Sequence, residues 1–296
     1  MFPCFSFLNK GVEMPQDLYE LLWLFCIYAF FGWCVEVAYH AINCGKFINR
    51  GFLNGPYCPI YGIGMIIVVQ FLFPLRENLI ILFLGSLLLT SLLEFITGFL
   101  LEKIFHNKWW DYSNLPFNIK GYVCLKFSIY WGLAGTFVID LVHPVIYNFV
   151  SWIHKLPGTI LLIVFMLTFV TDSVITVMTI LKFNKHIRIL DETARKIHNF
   201  SDEIGENIFE NVEKSLEAKE MIENKANDIK NMLTENAIER KNEYEELQKK
   251  YRELLDKKSV GFRRLVKAFP KMTSNVRNEA LQKYIQQIKN IKNYKK

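Results

Sequence analysis

Long apolar runs fill the first 181 residues of the chain. A membrane-spanning helix needs about 20 apolar residues to cross ~30 Å of hydrocarbon. Stretches such as TILLIVFMLTFV lack the charged face that helices of soluble proteins carry. The pattern predicts an all-α, polytopic membrane helix bundle with five spans: Leu18–Ile42, Cys58–Phe73, Leu79–Leu101, Tyr122–Val142 and Pro157–Leu181.

The second apolar run is short, and the glycine- and proline-rich stretch FINRGFLNGPYCPIYGIG (residues 47–64) leads into it. Non-helical backbone is stable at membrane depth only where protein or water satisfies its N–H and C=O groups. One interpretation is therefore a re-entrant loop, with Gly55 and Pro56 lining a pocket. The other is an ordinary interfacial loop followed by a helix that begins at Pro59.

After Leu181 the pattern becomes that of a long amphipathic helix. Residues 182–258 contain no proline, and apolar side chains recur at spacings of three and four. These residues predict a cytoplasmic helix or coiled coil, which either forms a homodimer through residues 187–255 or folds back on itself as a hairpin. The apolar positions are Leu190, Ala194, Ile197, Ile204, Ile208, Ile222, Ala226, Ile229, Leu233, Tyr244, Leu247, Tyr251 and Leu254.

Charge divides the chain in the same way. Residues 1–181 hold 9 Lys/Arg and 10 Asp/Glu, whereas residues 182–296 hold 26 and 19. Because cytoplasmic segments retain Lys and Arg, we expect a multi-pass cell-membrane protein with its N-terminus outside and its C-terminus in the cytoplasm. The predicted domains are an extracytoplasmic segment (1–17), the transmembrane bundle (18–181), the amphipathic helix (182–258) and a basic tail (259–296).

Residues 257–296, which include the basic tail, hold twelve Lys/Arg and one acid, Glu279. Arg263, Arg264 and Lys267 lie beside apolar residues that share a helical face. A basic amphipathic segment of this kind favours the surface of anionic lipid or an acidic partner. Nucleic acid would attract the same charge, but no recognition motif accompanies it.

Ionisable residues inside the spans are costly and need partners or water. Glu36, Glu94 and Asp172 lie roughly 9, 10 and 14 Å from the inner ends of their spans, at 1.5 Å per residue. Lys126 enters the fourth span from the same side, and Asn49 and Arg50 lie in the loop nearby. These residues predict a polar pocket open to the cytoplasm; the alternative is a set of ion pairs that only fixes helix packing.

Aromatic residues mark the third inner segment, where Trp109, Trp110 and Tyr112 are typical of interface anchors. Asp111 and Asn118 accompany them, as an ion-pair partner and a turn residue. The chain lacks a G-x-x-x-x-G-K-[ST] phosphate loop and the G-x-S-x-G and H-E-x-x-H motifs, and its Cys and His residues lack metal-ligand spacing. No cofactor, metal site or catalytic residue is therefore predicted.

Four ordered motifs resemble the CmpB-like, ABC-transporter type IV family of integral membrane proteins, which occurs mainly in Gram-positive bacteria. They are GWCVE (Gly32–Glu36), NRGFLNGPYCPIYGIG (Asn49–Gly64), LEFITG (Leu93–Gly98) and WWDYS with FNIKGYVCL (Trp109–Leu125). The likeness covers residues 20–180, and RRLVKAFPKM (Arg263–Met272) also resembles tails of the family. The motif positions are Glu36, Asn49, Arg50, Gly55, Pro56, Glu94, Trp110, Asp111 and Asn118; Lys126 and Asp172 rest on depth alone.

The resemblance implies a permease that works with a separate ATPase subunit. Two other functions fit the residues. One is a membrane-anchored scaffold or sensor that works through its coiled-coil tail. The other is an intramembrane enzyme that acts on a lipid or isoprenoid through its carboxyl groups.

Overall fold

The computed structural model describes residues 14–15, 17–217, 226–257, 259–274 and 276–293, without the side chains of 43, 44, 204–217, 226–237 and 290–293. The chain is mostly helical (78%), as predicted. The elements are α1 (Leu18–Cys44), α2 (Pro59–Leu72), a 3₁₀ turn (Phe73–Leu75), α3 (Leu79–Phe105), β1 (Asn118–Ile119), β2 (Val123–Cys124), α4 (Leu125–Phe137), a π-helical segment (Val138–Val142), α5 (His143–Trp152), α6 (Lys155–Glu217), α7 (Ala226–Asp256), α8 (Val260–Ala268) and α9 (Asn278–Asn293).

The chain divides into two compact units. Unit 1 comprises Met1–Leu181 with Arg264–Asn275, and unit 2 comprises Lys182–Arg263 with Val276–Lys296. The first boundary falls where the composition changes. Among the described residues, 264–274 belong to unit 1, whereas the division predicted from the sequence has them in the basic tail.

Within the described residues, four helices are long and apolar enough to cross a membrane: Leu18–Ile42, Leu79–Phe105, Leu125–Trp152 and Lys155–Glu203. Their outer faces expose large apolar side chains, such as Ile80, which is 72% exposed, and Leu88, which is 68% exposed. Exposed apolar faces this extensive are stable in lipid and not in water. The chain is a membrane protein.

The fourth apolar helix is longer than the sequence predicts. The prediction ended at Val142, where about 20 apolar residues are reached, but the helix continues to Trp152. A π-helical turn explains the continuation, because the His143 N–H donates to Val138 O. This wider turn accommodates Pro144, which has no N–H to donate.

The second apolar helix is short. Pro59–Leu75 has fewer residues than a full span needs, so the fifth span stays a prediction. The segment before it, residues 45–58, is not helical and is called here the return segment. Its last residue, Cys58, donates its N–H to Ala29 O at 2.9 Å. Ala29 lies 13 residues before Ile42, so the segment runs back along α1 by about 20 Å.

This geometry combines the two interpretations of residues 47–64. The first part returns along α1 as a re-entrant loop would, whereas the glycines after Pro59 are part of α2. Pro59 occupies the first turn of that helix, where its missing N–H costs nothing. Gly32 of α1 lets α2 approach closely, because a Cβ there would overlap the Tyr61 ring.

The core of unit 1 lies between the apolar helices. Trp23, Leu24 and Tyr28 of α1 pack with Ile146 and Val150 of α5 and Leu162 of α6. A neighbouring cluster joins α2, the 3₁₀ turn, α3 and α5 through residues that include Val69, Phe73, Leu82 and Tyr147. The two clusters hold the helices that carry the polar residues described below.

Unit 2 contains an antiparallel helix pair. The His186 ring nitrogen bonds Leu254 O at 2.9 Å, the rings of Phe200 and Tyr244 stack at 6.1 Å, and Arg240 forms a 3.0 Å ion pair with Glu203. These contacts between α6 and α7 lie within one chain, as expected for the hairpin interpretation; the homodimer through residues 187–255 stays a prediction. The side chains of Ile204, Ile208, Ala226, Ile229 and Leu233, and all of Ile222, lie outside the described residues, as do residues 1–13.

Candidate functional site

Glu36 lies in the last third of α1 and has two polar partners. Tyr61 of α2 donates its hydroxyl to Glu36 Oε1 at 2.7 Å. Arg50 of the return segment places Nε 3.7 Å from Glu36 Oε2, and its Nη1 lies 3.3 Å from His40 Nδ1. The ion pair is about a quarter to a third exposed, at 26% and 31%. The return segment and α1 are thus joined through the Glu36 carboxylate, which pairs with Arg50.

Glu94 lies in α3 and accepts the hydroxyl of Tyr112 at 3.1 Å on Oε1. Its Oε2 is buried and has no hydrogen-bond partner among the described residues. Burial raises the pKa of the Tyr112 phenol well above its usual value, and the nearby Glu94 charge raises it further. The hydroxyl therefore remains a donor throughout the physiological range.

Glu36 is close enough to act electrostatically on both Glu94 and Tyr112. We call Glu36, Arg50, Tyr61, Glu94 and Tyr112 the acidic cluster. It contains two carboxylates and one guanidinium, so one negative charge lacks an ionic partner among its own members. The sequence predicts both acids at a similar depth; in the structure Glu36 pairs with Arg50 and is within electrostatic reach of Glu94.

Asp172 of α6 has a different set of partners. Its Oδ1 accepts from Asn54 Nδ2 at 2.6 Å, and its Oδ2 accepts from Gly55 N at 2.7 Å. Thr176 bonds both Asn54 and Asp172. Asp172 therefore binds the backbone turn that contains Gly55 and the exposed Pro56, and its described partners do not include Glu36 or Glu94.

Asn49 fixes the other half of the return segment. Its Oδ1 accepts from Trp33 Nε1 at 2.8 Å and from Gly51 N at 2.9 Å. Its Nδ2 donates to Asn54 O at 2.7 Å. An asparagine that satisfies backbone and side-chain groups at once is a common way to stabilise irregular backbone.

Lys126 is exposed on α4, where its Nζ lies 6.0 Å above the Tyr130 ring. No described contact joins it to the acidic cluster. A long cationic side chain near a helix end extends toward the headgroups while its stem stays in the apolar region. This position explains why Lys126 needs no buried acid as partner.

The segment between α3 and α4 is a tight hairpin held by short polar side chains. Asp111 Oδ1 accepts from Ser113 N at 2.9 Å, and Asn118 bonds Leu115 O and Gly121 N at 2.7 and 3.2 Å. Gly121 has φ of +74°, and a Cβ there would overlap Asp111. Asp111 and Asn118 thus shape the loop that presents Tyr112 to Glu94.

The two tryptophans of this hairpin also have protein partners. Trp110 donates Nε1 to Tyr122 O at 2.9 Å. Trp109 is only 5% exposed and packs against Phe52, Phe105 and Phe269. Within the described part of the chain, no group of three or more His, Cys, Asp or Glu side chains could hold a metal ion.

The family model described as "Putative ABC-transporter type IV" matches residues 23–177, more than half of the chain. The chain belongs to this family. The matched range includes the whole acidic cluster, the return segment and Asp172, and it ends before the residues of unit 1 that follow Arg263. No curated protein and no solved structure matches the chain.

The sequence indicates the acids of the site but not several of their partners. Tyr61 was not singled out, although it lies in the glycine-rich motif. Arg264 was expected at a lipid surface beside Arg263 and Lys267. Its half-buried guanidinium instead bonds the carbonyls of Gly51, Phe52 and Leu53. Arg263 is exposed, and Lys267 is partly buried.

Proposed function

We propose that the chain is the permease-like membrane component of a transporter that works with a separate ATPase subunit. The observation that carries the proposal is the buried Glu94 Oε2, which has no hydrogen-bond partner among the described residues and is within electrostatic reach of the Glu36 carboxylate. Family membership supports the association with an ATPase. The site is the acidic cluster, facing the cytoplasmic side by the predicted topology.

Charge balance identifies the kind of ligand that the cluster binds. A lone carboxylate within a span costs several kcal/mol unless it is neutralised, and among the described residues the carboxylate that pairs with Arg50 is that of Glu36. Glu94 therefore takes a proton, a monovalent cation or an ammonium group of the solute. Exchange between such occupants is a means of coupling solute movement to the state of the membrane helices.

The tyrosines orient the two acids. Tyr61 and Tyr112 each donate one hydroxyl to one carboxylate oxygen. Each hydroxyl fixes the side-chain rotamer of its acid, and the Tyr112 contact leaves Glu94 Oε2 as the acceptor for a ligand. Preorganised acceptors of this kind bind at a lower cost in side-chain entropy.

Purification from native membranes in mild detergent tests the proposal. We expect an ATP-binding subunit to copurify with the chain and the complex to hydrolyse ATP. Glu94→Gln should retain the subunit but lose about tenfold in hydrolysis, the equivalent of ~1.4 kcal/mol. Asp140→Asn, an exposed acid in the π-helical segment, is the matched control.

Two results would overturn this function: purified chain without any ATP-binding protein, or a Glu94→Gln complex that hydrolyses ATP as the wild type does. The second candidate is a membrane-anchored scaffold or sensor. It is favoured by one observation, that residues 182–263 and 276–296 form a compact unit of their own. A scaffold would keep its cellular phenotype when both Glu36 and Glu94 are neutralised.

A further inference from the structure

The end of helix α8 and the residues after it form part of unit 1. We call residues 264–274 the C-terminal strap. Arg264 is its first residue and donates Nη1 to Gly51 O and Leu53 O at 3.2 and 2.9 Å, and Nη2 to Phe52 O at 3.0 Å. Three successive carbonyls of the return segment thus converge on one guanidinium.

The rest of the strap is attached just as firmly. Phe269 packs edge-on against Trp109 with ring centroids 4.7 Å apart. Lys108 and Thr273 exchange two backbone hydrogen bonds of 2.9 and 3.1 Å, and Ser274 donates its hydroxyl to His106 O. Leu265 and Met272 are fully buried. The C-terminal strap is therefore packed and hydrogen-bonded to the rest of unit 1.

Arg264 bonds the backbone next to Arg50, because its Nη1 donates to the carbonyl of Gly51, the next residue in the chain. On one side, Asn49 ties the return segment to Trp33 of α1 at 2.8 Å. On the other side, Gly51 O is held by Arg264. Arg50 lies between these two attachments, and its side chain reaches Glu36 at 3.7 Å. Displacement of the backbone around Arg50 would lengthen this distance and weaken the ion pair, because the Coulomb energy falls as the charges separate.

The guanidinium suits this task chemically. Arginine stays charged in proteins, and its planar fork donates several hydrogen bonds in fixed directions. Burial lowers the pKa of Arg264, and the charge of Asp172 opposes that shift. Asp172 accepts a hydrogen bond from Gly55 N. The return segment is therefore bound by a cation, Arg264, at the carbonyls of residues 51–53 and by an anion, Asp172, at the N–H of residue 55.

We infer that Arg264 is a positioning residue of the acidic cluster, which fixes the backbone around Arg50 and so keeps Glu36 ion-paired. The inference rests on the proposed role of the cluster. It also extends that site beyond the family match, which ends at residue 177. The C-terminal strap is then part of the working site and not an independent lipid-binding tail.

Two measurements on the full chain in detergent test the inference. The first is amide hydrogen exchange of residues 49–58, which reports local opening. The second is labelling of Glu36 by dicyclohexylcarbodiimide, located by mass spectrometry, because this reagent attacks protonated carboxyl groups. In Arg264→Ala we expect both rates to rise by about tenfold, since the Glu36 carboxyl group then loses its guanidinium partner and becomes available to the reagent.

Chemical rescue separates positioning from general damage. Millimolar guanidinium should enter the space left in Arg264→Ala, bond the three carbonyls and lower both rates again. Arg263→Ala, which alters the exposed neighbour, should leave both rates unchanged. If Arg264→Ala does not fold, Arg264→Lys is the test variant, and it should raise Glu36 labelling selectively but less.

The inference is overturned if Glu36 labelling stays at the wild-type rate in these variants. It is also overturned if labelling rises equally at Glu36 and Asp140, or if guanidinium has no effect on the alanine variant. None of these readouts measures transport or ATP hydrolysis. A failed transport proposal would therefore leave the result on Arg264 intact, and the reverse also holds.

Discussion

At the residue scale, Glu36 and Arg50 form an ion pair within the acidic cluster, with Arg50 Nε 3.7 Å from Glu36 Oε2. Arg50→Gln leaves Glu36 and Glu94 without a cation, so it should destabilise the chain more than Glu36→Gln does. The double variant should recover about 1–3 kcal/mol of that loss, because it removes the uncompensated acid. Thermal unfolding in detergent measures all three.

The control for this cycle is Lys126→Gln, which should be silent because Lys126 is exposed and its contact among the described residues is with the Tyr130 ring. Strict additivity of the Arg50 and Glu36 effects would mean that the two side chains do not interact. That result would remove the charge argument for the cluster.

For single residues, the sequence predicts which charged side chains lie within the spans, but it does not predict which groups they bind. Glu36 and Glu94 stand out because each interrupts an apolar run, and helical rise places them at similar depth. Asp172 stood out for the same reason, yet it binds the return segment. The position in the sequence gives only the depth of a residue along the helix axis. The direction of its side chain depends on the rotation of the helix about that axis, which is determined by packing against other helices.

At the scale of elements, the contact between α1 and α2 depends on a missing side chain. A Cβ at Gly32 would overlap the Tyr61 ring. Gly32→Ala should therefore push α2 away, lengthen the Tyr61–Glu36 hydrogen bond and cost about 1–3 kcal/mol, the usual cost of overpacking. The midpoint of thermal unfolding should fall accordingly.

Gly64→Ala is the matched control on α2. Its added methyl would meet Leu93 Cδ1 at 3.9 Å, an ordinary contact. Equal stability of the two variants would show that α1 and α2 do not approach each other as described.

The elements themselves were largely predictable from hydrophobic runs of about 20 residues. The π-helical turn before Pro144 was not, and so the fourth helix was predicted to end at Val142. The return segment was recognised as irregular from its glycines and prolines. Its path along α1 does not follow from the local sequence, because it depends on partners far away in the sequence, such as Asp172 and Arg264.

At the scale of the whole molecule, a cross-linking experiment on unit 2 can distinguish a hairpin within one chain from a dimer. The Phe200 and Tyr244 rings stack at 6.1 Å within one chain. After replacement of the native cysteines, Phe200→Cys with Tyr244→Cys should cross-link within a single chain and migrate as a monomer. A covalent dimer would instead favour the intermolecular coiled coil predicted for residues 187–255.

The membrane orientation remains a prediction from charge, with the basic half of the chain in the cytoplasm. A fluorescent reporter fused after Lys296 should be active, whereas alkaline phosphatase at the same site should be inactive. The opposite pattern would invert the topology and place the acidic cluster near the outer surface.

The central claim is that Glu94 accepts a proton or a cation in the acidic cluster. Its most direct test is the rate at which dicyclohexylcarbodiimide labels Glu94 in the purified chain, with and without added sodium or ammonium ions. We predict that Glu94 is labelled faster than the exposed Asp140 and that one of these ions slows the labelling. Labelling no faster than at Asp140, and insensitive to both ions, would contradict the account.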